Sequence, residues 1–199
     1  MKAKRVAPNN GRLTKAARRE QLLDVAAEML ISRGTGALTM EGLAAAAGVS
    51  KALPYQHFAN AEDVLSELYQ RELATIGSRI LAALEGTDDP EESVRAGVHA
   101  YFQAVADRGH ILAILTAPGS SVPERTDRGR RIGHHFVADL FAPRFGLSQR
   151  QAILLADFAL GILAGALEAW IHRDGRRAEI ERIAVETILA AARAVEASA

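Results

Sequence analysis

The sequence predicts an all-α protein of about nine helices. Alanine, the best helix former, supplies 39 of the 199 residues. Apolar residues recur at intervals of three and four in one segment after another, as on the buried face of a helix. The strict alternation of apolar and polar residues that marks a half-buried strand is not found. A chain of this length with 49% hydrophobic and 24% charged residues can bury a core of its own.

The first three helices are separated by glycine and by capping residues. The pattern from Thr14 to Arg33 predicts a helix that Gly34 stops. A short helix begins at Thr39, an N-cap type of residue, and ends before Gly48. Ser50 is the predicted cap of the next helix. Its apolar positions are Leu53, Tyr55 and Phe58.

Six longer or more apolar segments follow. Asn60 with Asp63 resembles a capping box and opens a helix that runs to Leu84. Pro90 suits the first turn of the next helix. Pro143 is the predicted stop of a helix that begins at Pro123, because proline cannot donate a helical hydrogen bond. The other predicted helices cover residues 111–117, 148–174 and 176–197.

The zero net charge is an average over two unlike parts. Residues 1–60 contain nine basic and four acidic residues, whereas residues 61–199 contain fifteen and twenty. The first nineteen residues hold seven basic groups and no acid. This asymmetry predicts that the N-terminal part meets an anion such as nucleic acid. For residues 1–13 alone, a flexible solvated arm is an equal alternative.

Composition also excludes several classes of protein. Without cysteine the chain has no disulfide framework, thiol nucleophile or thiolate metal site. The basic start lacks a following apolar segment, so we expect no signal peptide and a cytoplasmic location. Residues 152–171 have the length of a membrane span. Asp157 and Glu168 share one face of that helix, so we expect a core or interface helix and no membrane contact.

The segment TMEGLAAAAGVSKALPYQHF, residues 39–58, has the pattern of a helix-turn-helix. Ala44 allows close approach of two short helices, and Gly48 allows the left-handed backbone of the turn. Leu43, Val49 and Pro54 would fill the space between these helices and the first one. In such a motif the second helix enters the major groove of DNA.

Three helices together resemble one protein family. The segments LLDVAAEMLISRG (22–34), LTMEGLAAAAGVSKALPYQHF (38–58) and NAEDVL (60–65) are similar to the N-terminal domain of the TetR family of bacterial transcriptional regulators. The resemblance covers about the first third of the chain. It implies a homodimer that binds double-stranded operator DNA and represses a promoter until a small-molecule effector lowers its affinity.

The resemblance also implies which residues touch DNA. Thr39 would hold a phosphate at a helix start, and Lys51, Tyr55 and His57 would contact further phosphates. Gln56 is the candidate for reading adenine, because its amide can form two hydrogen bonds with that base. The full implied set is Thr39, Ser50, Lys51, Ala52, Leu53, Tyr55, Gln56 and His57.

Three positions depart from the family's pattern. Gly42 stands where an acidic residue often completes a capping box with Thr39. Pro54 stands where Leu or Ile is usual, and it removes one helical hydrogen bond from the recognition helix. Ala61 replaces a frequent lysine and so removes a phosphate contact.

The last two helices carry the predicted dimer contacts. Gly161 and Gly165 form a small-residue pattern that lets helices pack closely, and Ile180, Ile183, Thr187 and Ile188 line the final helix. We expect these residues to lie between protomers, with packing inside one chain as the alternative.

The resemblance places an effector pocket among the middle helices. Its candidate residues are His99, Phe102, His135, Phe136, Asp157, Phe158 and Trp170, although aromatic residues at helical spacing also suit an ordinary core. Adjacent His134 and His135 cannot form the i, i+4 pair of a helical metal site, so we expect neither metal nor cofactor.

The sequence therefore predicts three parts: a basic arm at 1–13, a helix-turn-helix domain at 14–60, and an effector-binding and dimerisation domain at 61–199. A DNA-binding protein that ignores small molecules is one alternative. A small-molecule enzyme of all-α fold is another, but paired catalytic carboxylates and a cofactor loop are both lacking.

Overall fold

The computed structural model describes residues 13–108, 111–116, 123–172 and 176–198. These residues form nine α-helices and one short 3-10 turn, with no strand among them, which confirms the predicted all-α class. The helices are α1 Lys15–Arg33, α2 Met40–Ala46, α3 Ala52–Tyr55, α4 Ala61–Ala83, α5 Pro90–Asp107, α6 Ile111–Thr116, α7 Pro123–Phe145, α8 Gln149–His172 and α9 Arg177–Glu196. Most of the predicted arm and the predicted end of α8 at Asp174 lie outside the described residues.

Side-chain caps fix where four helices begin. In each case the N-cap oxygen accepts a hydrogen bond from the backbone N–H three residues later, which satisfies a donor that the helix itself leaves unpaired. The bonds are 3.1 Å for Thr14, 3.0 Å for Thr39, 2.8 Å for Asn60 and 2.7 Å for Asp89. The predicted starts at Thr14, Thr39 and Asn60 are confirmed.

The predicted end of α7 at Pro143 is wrong. The helix continues through Pro143 to Phe145, and Gly146 ends it with φ of 61°. The Leu147 N–H then donates a 3.0 Å hydrogen bond to the carbonyl oxygen of Ala142, the arrangement of a Schellman motif. A proline in the last turn deprives the helix of one hydrogen bond only, so the glycine conformation decides the end.

The predicted cap of the recognition helix is also wrong. Helix α3 begins at Ala52, and its N-cap position is Lys51, whose side chain makes no capping hydrogen bond. The Ser50 carbonyl oxygen instead accepts a 3.0 Å bond from the Leu53 N–H. Pro54 has no N–H to donate to the Ser50 carbonyl oxygen, so the α-helical pattern does not extend back to Ser50. The helix is four residues long. Phe58 lies beyond it.

One cluster of buried side chains joins the N-terminal helices to the rest of the molecule. Helix α1 packs against α2, α4 and α6, and α4 packs in turn against α5, α6 and α7. Leu22 and Leu30 of α1, Leu68 of α4 and Leu115 of α6 are fully buried in this cluster. The orientation of α1 is therefore set by helices that lie outside the helix-turn-helix itself.

Helix α8 packs between α7 and α9 but leaves one face open. Residues 149–171 are long and apolar enough, by length and composition, to cross a membrane, and 28% of the most apolar stretch is buried within the chain. The exposed side carries Leu154 and Phe158 beside Asp157 and Glu168. An apolar stripe is therefore left uncovered in the single chain.

Candidate DNA-binding surface

The turn between α2 and α3 depends on one glycine. Gly48 has φ of 66°, a conformation that a residue with a Cβ adopts only at a cost. Its N–H donates to the Ala45 carbonyl oxygen at 3.2 Å, and the Val49 N–H donates to the Ala44 carbonyl oxygen at 3.0 Å. These two bonds close a Schellman motif, which directs the chain abruptly into α3.

Tertiary packing holds the short recognition helix in place. Pro54 is buried and Phe58, just past the helix, is 2% exposed in the main core. Leu43 of α2 is fully buried and Val49 packs against the same core, as the sequence predicts. With its two flanks anchored, α3 presents the remaining residues outwards.

Most of the residues predicted to touch DNA are exposed to solvent. Thr39, Ser50, Lys51, Ala52, Tyr55 and Gln56 are exposed, whereas Leu53 and His57 are half-buried. The structure thus brings the predicted set to the outer surface of the helix-turn-helix. The contacts with DNA themselves remain a prediction.

The Tyr55 hydroxyl is hydrogen-bonded to an acidic neighbour. This hydroxyl donates a 3.4 Å hydrogen bond to Glu41 Oε1 on α2. Desolvation, followed by the charge of Glu41 and this hydrogen bond, raises the pKa of Tyr55 above its ordinary value. The phenol therefore keeps its proton and can donate it to a phosphate oxygen, but only by leaving Glu41.

His57 lies in a groove with basic residues that the implied contact set omits. The groove has a volume of about 480 Å³ and is lined by Leu13, Lys15, Arg18, Leu53, Gln56 and His57. Desolvation first, and then the charges of Lys15, Arg19 and Arg18, lower the pKa of His57. The His57 Nδ1 atom is buried without a hydrogen-bond partner among the described residues.

Lys15 and Arg18 are thus further candidates for phosphate contacts. Both lie in the first turn of α1, whose N-terminal end points towards the recognition segment. The run of basic residues at the start of the sequence was the available signal. Their proximity to His57 depends on tertiary packing and could not be read from spacing.

Arg19 fastens the end of the recognition segment to α1. Its guanidinium donates a 2.7 Å hydrogen bond to the His57 carbonyl oxygen and pairs with Glu67 of α4. The same group lies 4.7 Å from the centre of the Phe58 ring, within the range of a cation–π contact. One side chain therefore joins α1, α4 and the residues after α3.

The predicted effector residues do not converge on one site. Phe102 and Trp170 meet with ring centres 5.6 Å apart, and Phe136 packs against Gly77 of α4. His99 instead lies in a groove of about 620 Å³ between α5 and α9, where it contacts Glu181 at 2.7 Å. His135, Asp157 and Phe158 are exposed, and Asp157 pairs with His134.

The predicted dimer residues fall into two groups, one exposed to solvent and one packed in the core of the chain. Gly161, Gly165, Ile183 and Thr187 are exposed, and a Cβ added at either glycine would meet nothing within 4 Å among the described residues. Ile188, by contrast, is 1% exposed and belongs to the chain's own core, and Ile180 packs against that core. Ile188 is therefore not available to a partner, because the buried stripe of α9 is rotated from the predicted one.

A helix-turn-helix with an exposed recognition face and basic flanks, set on a larger helical body, defines a DNA-binding transcriptional regulator. The family model for "Bacterial regulatory proteins, tetR family" matches residues 22–68. The HTH-type transcriptional activator FasR of Mycolicibacterium smegmatis is 30% identical over 169 residues, which are 82% of this chain and 76% of that protein. The chain belongs to the TetR family, whose members are regulators and not enzymes.

Other relatives match a smaller part or the fold alone. The HTH-type transcriptional repressor KstR2 of Mycobacterium tuberculosis is 33% identical over 88 residues, 44% of each chain. The structure of the fatty acid degradation regulator FadR from Bacillus halodurans superposes with a TM-score of 0.76 at 21% identity, over 89% of this chain and 97% of that one. A TetR-family regulator from Syntrophomonas wolfei gives 0.76 at 17% identity, over 90% and 96%.

Proposed function

We propose that this regulator acts in the cytoplasm as a homodimeric, sequence-specific repressor that a small-molecule effector releases from its operator. The recognition surface carries the proposal: Lys51 is exposed on it, and Lys15 and Arg18 line the groove that contains Gln56. Residues 14–60 would bind DNA and residues 61–199 would dimerise and bind the effector. Each protomer would place residues 50–57 in one of two major grooves about 34–36 Å apart.

The relatives do not agree on the direction of regulation. FasR is named an activator and KstR2 a repressor. Repression is proposed here because a dimer that occupies two successive major grooves covers promoter DNA. In vitro transcription from the promoter upstream of the protein's own gene tests this, since a repressor lowers and an activator raises the transcript.

The uncovered stripe of α8 and α9 supports the proposed dimer. Phe158 and Ile183 are 51% and 49% exposed, and the open space around Gly161 and Gly165 would let a partner helix approach closely. Analytical ultracentrifugation should show a dimer that Phe158→Asp dissociates. Leu81→Asp is the matched control, because Leu81 is equally exposed but lies on α4. A monomeric wild type, or equal effects of both substitutions, would exclude this interface.

For the effector we propose a mainly apolar site between α4, α5, α7 and α8. Phe102 of α5 and Trp170 of α8 meet with ring centres 5.6 Å apart, and Phe136 of α7 lies beside Gly77 of α4. An effector that displaces Phe136 would tilt α4 and change the spacing of the two recognition helices. It does so only if it binds the two states with different affinity, typically by 1–3 kcal/mol.

One titration tests the whole proposal. A gel shift on the DNA upstream of the gene, repeated over a salt series and then with candidate effectors, separates three classes of protein. An enzyme would give no specific shift, a ligand-insensitive DNA binder would give a shift that no effector changes, and the proposed regulator would be released. Trp170 is the single tryptophan, so its fluorescence reports effector binding directly.

A further inference from the structure

A buried carboxylate lies in the middle of α4. Glu72 is 1% exposed, and a charge removed from water in this way is costly unless other charges compensate it. Glu72 is part of neither the helix-turn-helix nor the proposed set of effector aromatics. Its partners show what it connects.

The first partner is Arg108, at the C-terminal end of α5. Arg108 Nε donates to Glu72 Oε2 at 2.7 Å and Nη2 donates to Oε1 at 2.5 Å, a two-pronged pairing of guanidinium and carboxylate. The hydrogen bond to Glu72 raises the pKa of Arg108. Arg108 immediately precedes the connection to α6, and α6 packs against both α1 and α4.

The second partner is Arg71, which reaches the DNA-binding helices. Its Nη1 atom donates to Asp24 Oδ1 at 2.8 Å and to Glu20 Oε2 at 3.2 Å, both on α1. Its Nη2 atom lies 3.6 Å from Glu72 Oε1. A continuous series of charges thus runs from the end of α5 through α4 to α1.

We propose that Glu72, Arg71 and Arg108 are positioning residues for DNA binding, which fix the orientation of α1, and hence of the recognition segment, relative to the α5–α6 junction. The inference rests on the proposed function and adds the route by which the regulatory helices control it. Through Arg19, α1 holds the carbonyl of His57.

The geometry of the pairing explains why this cluster can transmit a displacement. Apolar side chains tolerate small sliding of one helix over another, because their contacts have no direction. A guanidinium that grips both oxygens of a carboxylate is directional, so a shift of the α5–α6 junction must either move α4 or break both bonds. If the orientation of α1 is loosened, only a fraction of molecules has the spacing that fits DNA, and the apparent affinity falls by that fraction.

The test compares a charge-balanced variant with wild type. The double variant Glu72→Met, Arg108→Met removes both charges of the pair, while Arg71 keeps its hydrogen bonds to Asp24 and Glu20. Such replacements are often neutral or stabilising. Glu72→Gln is the second variant. Glu85→Gln is the matched control, because it removes one carboxylate from the exposed residue just after α4.

The orientation is measured directly with two spin labels. The chain has no native cysteine, so Glu28→Cys on α1 and Glu92→Cys on α5, both exposed, give a single labelled pair. Dilution with unlabelled protein restricts the dipolar signal to one protomer, so the measurement needs neither a dimer nor DNA. Thermal melting and gel-shift affinity are recorded on the same variants.

We expect the double variant to melt close to wild type, to show a broader α1–α5 distance distribution, and to bind DNA at least about fivefold more weakly, the lower end of typical coupling. Glu72→Gln should broaden the distribution too, and Glu85→Gln should change neither quantity. An unchanged distribution and affinity in the double variant would overturn the proposal, as would an affinity loss explained by unfolding alone. If wild type fails to bind DNA, the proposed function fails, while the distance distribution still decides the role of the cluster.

Discussion

Arg19 Nη1 donates a 2.7 Å hydrogen bond to the carbonyl oxygen of His57, 38 residues further along the chain. Because α3 is only four residues long, this bond supplies an anchor that the helix's own hydrogen bonds cannot. The same side chain pairs with Glu67 and contacts the Phe58 ring. The position of the recognition segment therefore depends on α1.

Replacing Arg19 should impair DNA binding, although Arg19 is not among the residues predicted to contact DNA. We expect Arg19→Met to cost about 1–3 kcal/mol of stability, because the partly buried His57 carbonyl and Glu67 lose their donor. Arg19→Lys retains the charge but not the planar fork, so it should recover the melting temperature only in part. Urea unfolding and gel shifts measure both effects. Wild-type affinity in Arg19→Met would show that the anchor is dispensable.

Lys51 and Glu41 should change DNA affinity in opposite directions. Lys51→Ala removes one exposed cation, so it should weaken binding to all sequences alike and lower the slope of log affinity against log salt by about one. Glu41→Ala removes an acid beside Tyr55 together with the oxygen that accepts from the Tyr55 hydroxyl, so it should strengthen binding. A loss confined to one base position would contradict a phosphate role for Lys51.

The folded protein should lose stability through His57 as the pH falls. The folded-state pKa of His57 lies below its ordinary 6.5, so between these two values the unfolded chain binds more protons. The stability present above about pH 6.5 is therefore lost as the pH falls through the folded pKa. His57→Gln should unfold with a weaker pH dependence between pH 5 and 8. Identical pH profiles would exclude this assignment.

DNA binding should raise the pKa of His57, which is lowered in the free protein. A phosphate beside His57 favours the charged imidazole, so binding takes up a proton and becomes tighter as the pH falls from 7.5 to 5.5, by linkage. The His57→Gln variant removes that proton, and the difference between the two pH profiles reports it. Parallel profiles in gel shifts would place His57 away from the phosphates.

Two glycine substitutions should have opposite signs. At Gly48, with φ of 66°, a Cβ meets no atom of the described residues within 4 Å, so Gly48→Ala carries the cost of the left-handed conformation, about 1–2 kcal/mol. At Gly133, inside α7, a Cβ likewise meets nothing that the structure describes, and φ is not in the left-handed region. Gly133→Ala should therefore stabilise the protein by about 0.5–1 kcal/mol. Chemical unfolding of both variants checks the contrast.

Local signals predicted the helices that local interactions determine. The caps at Thr14, Thr39 and Asn60 are side chains bonded to their own helix, so the sequence alone located them. The end of α7 was missed because Gly146, and not Pro143, adopts the decisive conformation. Proline limits where a helix continues, but a nearby glycine can take over the termination.

The sequence predicted the recognition residues of the candidate site, but not the tertiary contacts that hold them in position. The helix-turn-helix spacing is local, and the family resemblance that it carries implied the recognition residues, most of which are exposed. The contacts of Arg19 with His57 and Arg71 with Asp24 join residues far apart in sequence, and nothing in their spacing signals them. The stripe of α9 was misassigned at Ile188 because an all-apolar helix side does not reveal which neighbour covers it.

The short length of α3 bears on which parts of the protein determine recognition of a DNA sequence. A four-residue helix with a proline inside cannot persist in isolation, since helix nucleation is unfavourable and too few bonds follow it. A peptide copied from residues 50–58 should therefore be a random coil with no preference for any operator. Preference for a DNA sequence therefore depends on α1, α2 and α4, because packing against these helices fixes the conformation of a segment that is unstructured alone.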